Sequence, residues 1–191
     1  MTKTIISFDI DDVIFRTGIR LIKMAFATCG KDYFPPRDWN MSGYPQDVKD
    51  EFYRLVFKSE HLFTGRLCHK RIRYCLNQLL DHPKYGVVFV TARSGCQLNA
   101  TVGQFDRCGI NVPEDIIYPV GQGGSKVDTL KKLKPMLHFD DAPYHVQDCV
   151  GNGINTVMIS NEHTPYNHYL RGKVPTALNI VRALREYGIV R

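Results

Sequence analysis

No C-x-x-C pair occurs in the chain, and no histidine stands at zinc-site spacing from a cysteine, which excludes the common structural zinc modules. The six cysteines, Cys29, Cys68, Cys75, Cys96, Cys108 and Cys149, are scattered and read as reduced, mostly buried thiols of an intracellular protein. No run is apolar for the length a bilayer demands, and the first apolar stretch is entered without a charged leader, apolar leader core or cleavage site. A soluble, cytoplasmic chain with no membrane role is expected. Internal repeats and low-complexity tracts are missing too. The net charge of +6 is spread out rather than run together, which suits a phosphate-bearing partner and argues against a nucleic-acid surface as the main role.

What is present is a chain of 191 residues with 43% apolar content, enough for one domain with an insert or a small two-lobed protein. Its organising stretch is Thr4 to Phe15, an apolar run followed by Asp9, Asp11 and Asp12. The absence of charge between Thr4 and Phe8 predicts a buried parallel strand. Its carboxylates then fall at the C-terminal end, where open α/β sheets bind ligands. Three clustered acids repel one another unless a cation or shared proton intervenes, and a hard divalent metal is the simplest answer. Aspartates also serve as turn and cap residues, so the cluster alone does not decide the matter.

Residues Thr17 to Thr28 carry Ile19, Ile22 and Phe26 at helical spacing; Val48, Phe52, Leu55 and Val56 mark a second helix, and Ile72, Cys75, Leu76, Leu79 and Leu80 a third. Between the first two, Lys31 to Gln46 reads as a loop. The stretch Tyr85 to Thr91 predicts a second buried strand, followed by a helix with Leu98, Val102 and Phe105 inward. Strands over Asp115 to Val120, Met136 to Asp141 and Ile154 to Ile159 follow. A helix is opened by Gly121-Gln122-Gly123-Gly124-Ser125-Lys126, and a last helix holds Leu178, Val181 and Leu184. The expected fold is α/β: a doubly wound, parallel five-stranded sheet with a small all-helical cap inserted after the first strand. The expected division is 1–16 with 83–191 for the core and 17–82 for the cap.

Such a sheet brings the strand ends to one crevice: Asp9 and Asp11, then Thr91, then Lys126, then Asp140 and Asp141. Acid, hydroxyl, ammonium and acid pair, in that order, resemble the haloacid dehalogenase superfamily of phosphohydrolases along the whole chain, with Asp9-Ile10-Asp11-Asp12-Val13 matching its D-x-D-x-V motif. The resemblance implies a magnesium-dependent phosphomonoesterase. Asp9 would be the nucleophile that forms an aspartyl-phosphate, Asp11 the acid and then the base, and Thr91 and Lys126 the binders of the non-bridging oxygens. Magnesium would sit on Asp9, the Asp11 carbonyl, Asp140 and Asp141. Arg93 either forks onto the substrate phosphate or is a helix N-terminal surface residue. Asp12 departs from the glycine common at its position, either as a turn residue or as added charge near the metal. The Gly121 to Lys126 stretch is not a Walker A loop, because glycine does not directly precede the lysine and no Ser or Thr follows it.

The small helical insert, the short step from Lys126 to Asp140-Asp141 and the Thr164-Pro165-Tyr166-Asn167 segment are similar to the 5′(3′)-deoxyribonucleotidase branch. That implies a nucleoside monophosphate as substrate. Independently of the resemblance, Trp39 and Tyr44 are aromatics in a Pro, Asn and Gly loop, where packing alone less often demands them, and are candidates to stack on a flat base. The chain has Thr91-Ala92-Arg93 where that branch commonly continues Thr-Ser-Pro, so another small phosphoester or a polynucleotide 3′-phosphate stays open. So does a phospholigand-binding module without turnover. An exposed cap face could support a homodimer.

Overall fold

Residues 3–58, 60–121 and 124–190 are described by the computed structural model, so Gln122 and Gly123 of the glycine-rich stretch lie outside the described residues. Strand β1 (Thr4–Phe8) is central. It pairs with β2 (Tyr85–Thr91) on one side and β4 (Leu137–Asp140) on the other. Beyond them lie β3 (Ile117–Pro119), β5 (Thr156–Ile159) and β6 (Thr176–Ala177), giving the order β3-β2-β1-β4-β5-β6 with every pairing parallel. The sheet has six strands among the described residues, not five. The sixth contributes only the pairs Met158 with Thr176 and Ile159 with Ala177, too short a run to carry a periodic signal.

The strand order reverses between β1 and β4, and that switch point opens a crevice at their C-terminal ends. Below it, Phe8 stacks on Phe139 with centroids 5.1 Å apart. The sheet core also takes in Ile72, Cys75, Leu76 and Leu79 of α3 (Ile72–Leu80) and Val181 and Leu184 of α7 (Ile180–Glu186). Leu178, expected inward on the last helix, is exposed; α7 starts after it, where the Asn179 side chain accepts from Arg182 N at 3.0 Å. Helices α4 (Leu98–Arg107), α5 (Lys126–Leu133) and α6 (Pro143–Gly151) complete the layers, the last of them unanticipated.

The three helices expected as one insert over 17–82 are divided between two clusters. In α1 (Gly18–Thr28), Leu21, Ile22, Ala25 and Phe26 form one stripe. They pack with Val48 and Leu55 of α2 (Gln46–Lys58) in a cluster separate from the sheet core. Helix α3 belongs to the sheet, because its stripe is buried there and not against α1 or α2. Of the cysteines, Cys68, Cys75 and Cys149 are buried, Cys29 and Cys108 half-buried and Cys96 exposed, all as free thiols. No helix among the described residues is long and apolar enough to cross a membrane.

Candidate active site

Asp9 continues β1, its N–H donating to Phe139 O at 2.8 Å, so its side chain rises at the end of the central strand and is 5% exposed. Asp140 ends β4 and is fully buried. Between them stands Lys126, the first residue of α5, whose N-terminus is capped by Ser125 Oγ accepting from Asp128 N at 3.1 Å. Lys126 Nζ lies 2.8 Å from Asp9 Oδ1 and 2.7 Å from Asp140 Oδ2. Burial would strip the ammonium of its proton, but the two carboxylates outweigh that and push its pKa up.

A carboxylate oxygen from each of Asp9, Asp140 and Asp141 lies within 4.8 Å of the other two, and all three residues are buried. Asp9 Oδ1 has the Lys126 ammonium as its partner. Without a cation such crowding keeps protons on. Burial first, then the Asp140 and Asp11 charges, push Asp9 up to about 7 against Lys126, and burial with the Asp12 charge pushes Asp141 well up. Only Asp140 is held well below the ordinary range; burial opposes this, and Lys126 and the hydrogen bond from His138 overcome it. Three buried carboxylates converging on one point fit a hard divalent cation.

Asp11 is not part of that carboxylate group. Its side chain takes the fork of Arg93, Nη2 to Oδ1 at 2.8 Å and Nε to Oδ2 at 3.0 Å. Burial would raise its pKa, but the Arg93 charge and hydrogen bonds outweigh this and hold it below the usual carboxylate value. Arg93 is buried, not a surface residue. It also donates to Thr101 Oγ1 at 3.1 Å, with its guanidinium 5.2 Å from the Phe63 ring centroid. Thr91 ends β2 with its hydroxyl buried, accepting from Arg93 N at 3.3 Å. At that point the cavity wall is made by Ala92 and Arg93.

Asp12 resolves as a turn and cap residue. It has φ 55°, the left-handed region that glycine favours and Asp tolerates. Its carboxylate accepts from Thr17 N at 2.7 Å and Gly18 N at 2.9 Å, covering the start of α1. A Cβ on Gly18 would stand 2.3 Å from Asp12 Oδ2, so the two residues fit only as a pair. Tyr166 Oη lies 2.9 Å from Asp12 Oδ2 and 2.5 Å from Asp141 Oδ2. One hydroxyl proton cannot serve two ionised carboxylates, and burial pushes Asp12 up to about 6.

The cavity over these groups measures about 730 Å³. Its outer wall is aromatic: Trp39, Phe52, Tyr53 and Phe57 from α2 and the loop before it. Trp39 packs edge-on against Tyr166 at 5.0 Å and lies 5.5 Å from Tyr144. Tyr44 does not reach the cavity. It is 6% exposed within the α1–α2 cluster, 4.9 Å from Phe26, with its hydroxyl donating to Phe34 O at 2.7 Å. An aromatic in a loop was expected to face the site, but the loop folds back and buries this one.

Two histidines were not anticipated. His138 of β4 is fully buried, with Nδ1 3.1 Å from Ser7 Oγ and Nε2 3.2 Å from Asp140 Oδ2; within a strand it reads as core. His145 of α6 lines the cavity, its Nε2 has no hydrogen bond among the described residues, and burial pushes its pKa down to about 4. Only the unforeseen helix α6 brings it there.

No protein-family model matches the chain, and no curated protein matches it in sequence. Solved structures do. A haloacid dehalogenase-like hydrolase from Streptococcus pneumoniae superposes with a TM-score of 0.65 at 15% identity over 97% of this chain and 98% of the other. The chain has the haloacid dehalogenase-like fold. A hydrolase of that fold from Deinococcus radiodurans, solved with phosphate and sodium, gives 0.63 at 14% identity over 98% and 97% of the two chains. YfnB from Bacillus subtilis, solved with magnesium, gives 0.61 at 12% identity over 98% and 100%. In this fold the buried acid cluster sits at the switch point of the sheet.

Proposed function

We propose that the chain is a magnesium-dependent phosphomonoesterase working through an aspartyl-phosphate on Asp9, with nucleoside or deoxynucleoside monophosphates as substrates. The observation that carries this reading is the Asp9 carboxylate: buried at the end of the central strand, with an ammonium 2.8 Å away and two more buried carboxylates alongside. Asp9, Asp140 and Asp141, with the Asp11 carbonyl, would hold magnesium, which would neutralise charge on the phosphoryl oxygens.

Asp9 attacks phosphorus, the bond from phosphorus to the ester oxygen breaks, and the leaving oxygen takes a proton from Asp11. Water then gives a proton to Asp11 and attacks phosphorus, and the Asp9–phosphate bond breaks to release phosphate. Lys126 binds non-bridging oxygens, and the buried Thr91 hydroxyl, accepting from Arg93 N, positions the Ala92–Arg93 backbone beside them. Asp11 has to be protonated for the first step while Arg93 holds it ionised. A substrate phosphate that draws the Arg93 fork to itself removes that counter-charge and lets Asp11 take up its proton. The α1–α2 unit acts as the lid, with Trp39 as the stacking surface for the base; the aromatic outer wall suits a flat, weakly polar leaving group.

The test is phosphate release from ribo- and deoxynucleoside 5′- and 3′-monophosphates, sugar phosphates and a 3′-phosphorylated oligonucleotide, with magnesium or EDTA. A preference for mononucleotides that EDTA and Asp9→Asn both abolish is expected. Metal-dependent release from another ester keeps the mechanism and discards the substrate; equal background in wild type and variant discards the enzyme.

A further inference from the structure

A second concavity, of about 980 Å³, lies where the chain leaves the sheet after β1 and returns to it before α3. The two crossings touch: Arg16 N donates to Arg66 O at 2.8 Å, and a Cβ on Gly65 would stand 2.8 Å from Arg16 O. Around this groove stand Arg16, Arg66, Lys70, Arg73 and Arg107, against the single carboxylate of Asp106. All five cations are exposed, and none forms an ion pair among the described residues.

The groove is built rather than incidental. Arg16 Nη2 donates to Cys68 O at 3.2 Å and Arg107 Nη2 to Phe63 O at 3.0 Å, which fixes both guanidinium groups at its edge. Gly109, at φ 71°, leaves room for Arg73, whose Cδ would lie 3.2 Å from a Cβ there. In the lining, Gln104 is 1% exposed; its Nε2 donates to Gly65 O at 3.3 Å, and its Oε1 has no donor among the described residues. So many cations held together without counter-ions are a standing electrostatic cost that an anionic ligand relieves. One phosphate is too small to neutralise them. Phe63 is the only aromatic in the lining, so the platforms on which single-stranded nucleic acid stacks are lacking.

We infer that this groove binds a compact chain of phosphates, as in inorganic triphosphate or a nucleoside triphosphate, separately from the catalytic cavity. The inference does not depend on the proposed activity. It is tested by calorimetric titration of the full chain, free of magnesium and at low ionic strength, with inorganic triphosphate, ATP, orthophosphate and a short single-stranded oligonucleotide. Triphosphate is expected to bind about tenfold or more tighter than orthophosphate, and Arg66→Gln with Arg73→Gln to weaken it about tenfold. Lys132→Gln, on the exposed face of α5, is the control and leaves binding unchanged. Arg66→Glu, a single charge reversal at an exposed position, takes away the same two units of charge and weakens binding to a similar extent. Equal affinity for ATP supports a free polyphosphate as the ligand, and tighter ATP binding supports a nucleoside-bearing one. The inference is overturned by triphosphate binding that ignores the Arg66 and Arg73 changes, by an equal loss in Lys132→Gln, by an oligonucleotide that triphosphate does not displace, or by no binding at all.

Discussion

Asp9, Lys126 and Asp140 come from three separate elements, the end of β1, α5 and β4, and the two carboxylates meet the Lys126 ammonium within 2.8 Å, whereas Trp39 and Tyr44 share one loop and part company, one lining the cavity and the other sealed among Phe26 and Phe34. The acidic crevice obeys the sheet: once β1 and β4 pair in parallel, their last residues have one place to go. The loop before α2 obeys only its own packing, and which ring it buries depends on how it folds back. Sequence separation is therefore a poor guide to proximity at strand ends, and sequence proximity a poor guide to shared fate in a loop.

The largest effect should come from removing the ammonium that holds the crevice together. Lys126→Met leaves Asp9 and Asp140 buried without their counter-charge, and a loss of about 3–5 kcal/mol at neutral pH is expected by urea unfolding, partly restored by magnesium. A variant as stable as wild type would mean that the acids do not depend on Lys126.

In the loop, Tyr44→Ala should lose about 3 kcal/mol with little change in turnover per folded molecule. Trp39→Ala, at a ring that is 39% exposed, should lose under about 1 kcal/mol while raising KM for mononucleotides about tenfold. If both variants melt alike, the contrast between the two rings is false.

Arg93→Gln takes the fork away from Asp11, whose pKa rises as the counter-charge leaves. The falling, high-pH limb of the kcat/KM profile should move to higher pH, with kcat/KM itself down roughly tenfold or more. An unmoved limb would separate Asp11 from the proton step.

The smallest effect concerns pH and metal together. Without a cation, the folded Asp9 carboxyl keeps up to about 7 a proton that the unfolded chain gives up at its ordinary 3.8. Its contribution to stability therefore falls as pH rises through that window. His145, pushed down to about 4, works in the opposite sense below its ordinary 6.5, so the change in stability on adding magnesium is the cleaner reading. Bound metal needs Asp9 ionised, so that change should be about 1 kcal/mol greater at pH 8 than at pH 6. Equal increments at both values would detach Asp9 from the metal.

The alternation of strand and helix and the four polar motifs at or after the strand ends were legible in the sequence, because buried parallel strands are continuous apolar runs and their ends are marked by the polar residues that follow. Periodicity also located α1, α2 and α3, but it says only that each helix has an apolar stripe and not which surface covers it. That α3 covers the sheet while α1 and α2 cover each other was decided in three dimensions. So were the two-residue β6 and His145, which depends on a helix without a clear pattern of its own.

Asp12 shows the same division at one residue. The sequence marked it as a departure from glycine, while its left-handed backbone, its hold on the start of α1 and its shared hydroxyl with Asp141 exist only once Tyr166, far along the chain, has been brought beside it. By itself the sequence determined the first five strands of the sheet and the set of charges delivered to its edge, since those follow from local pattern and pleat. Which charges pair, which aromatics face the cavity and where five unpaired cations gather were decided by the tertiary structure alone, because each depends on contacts between segments whose local patterns carry no record of one another.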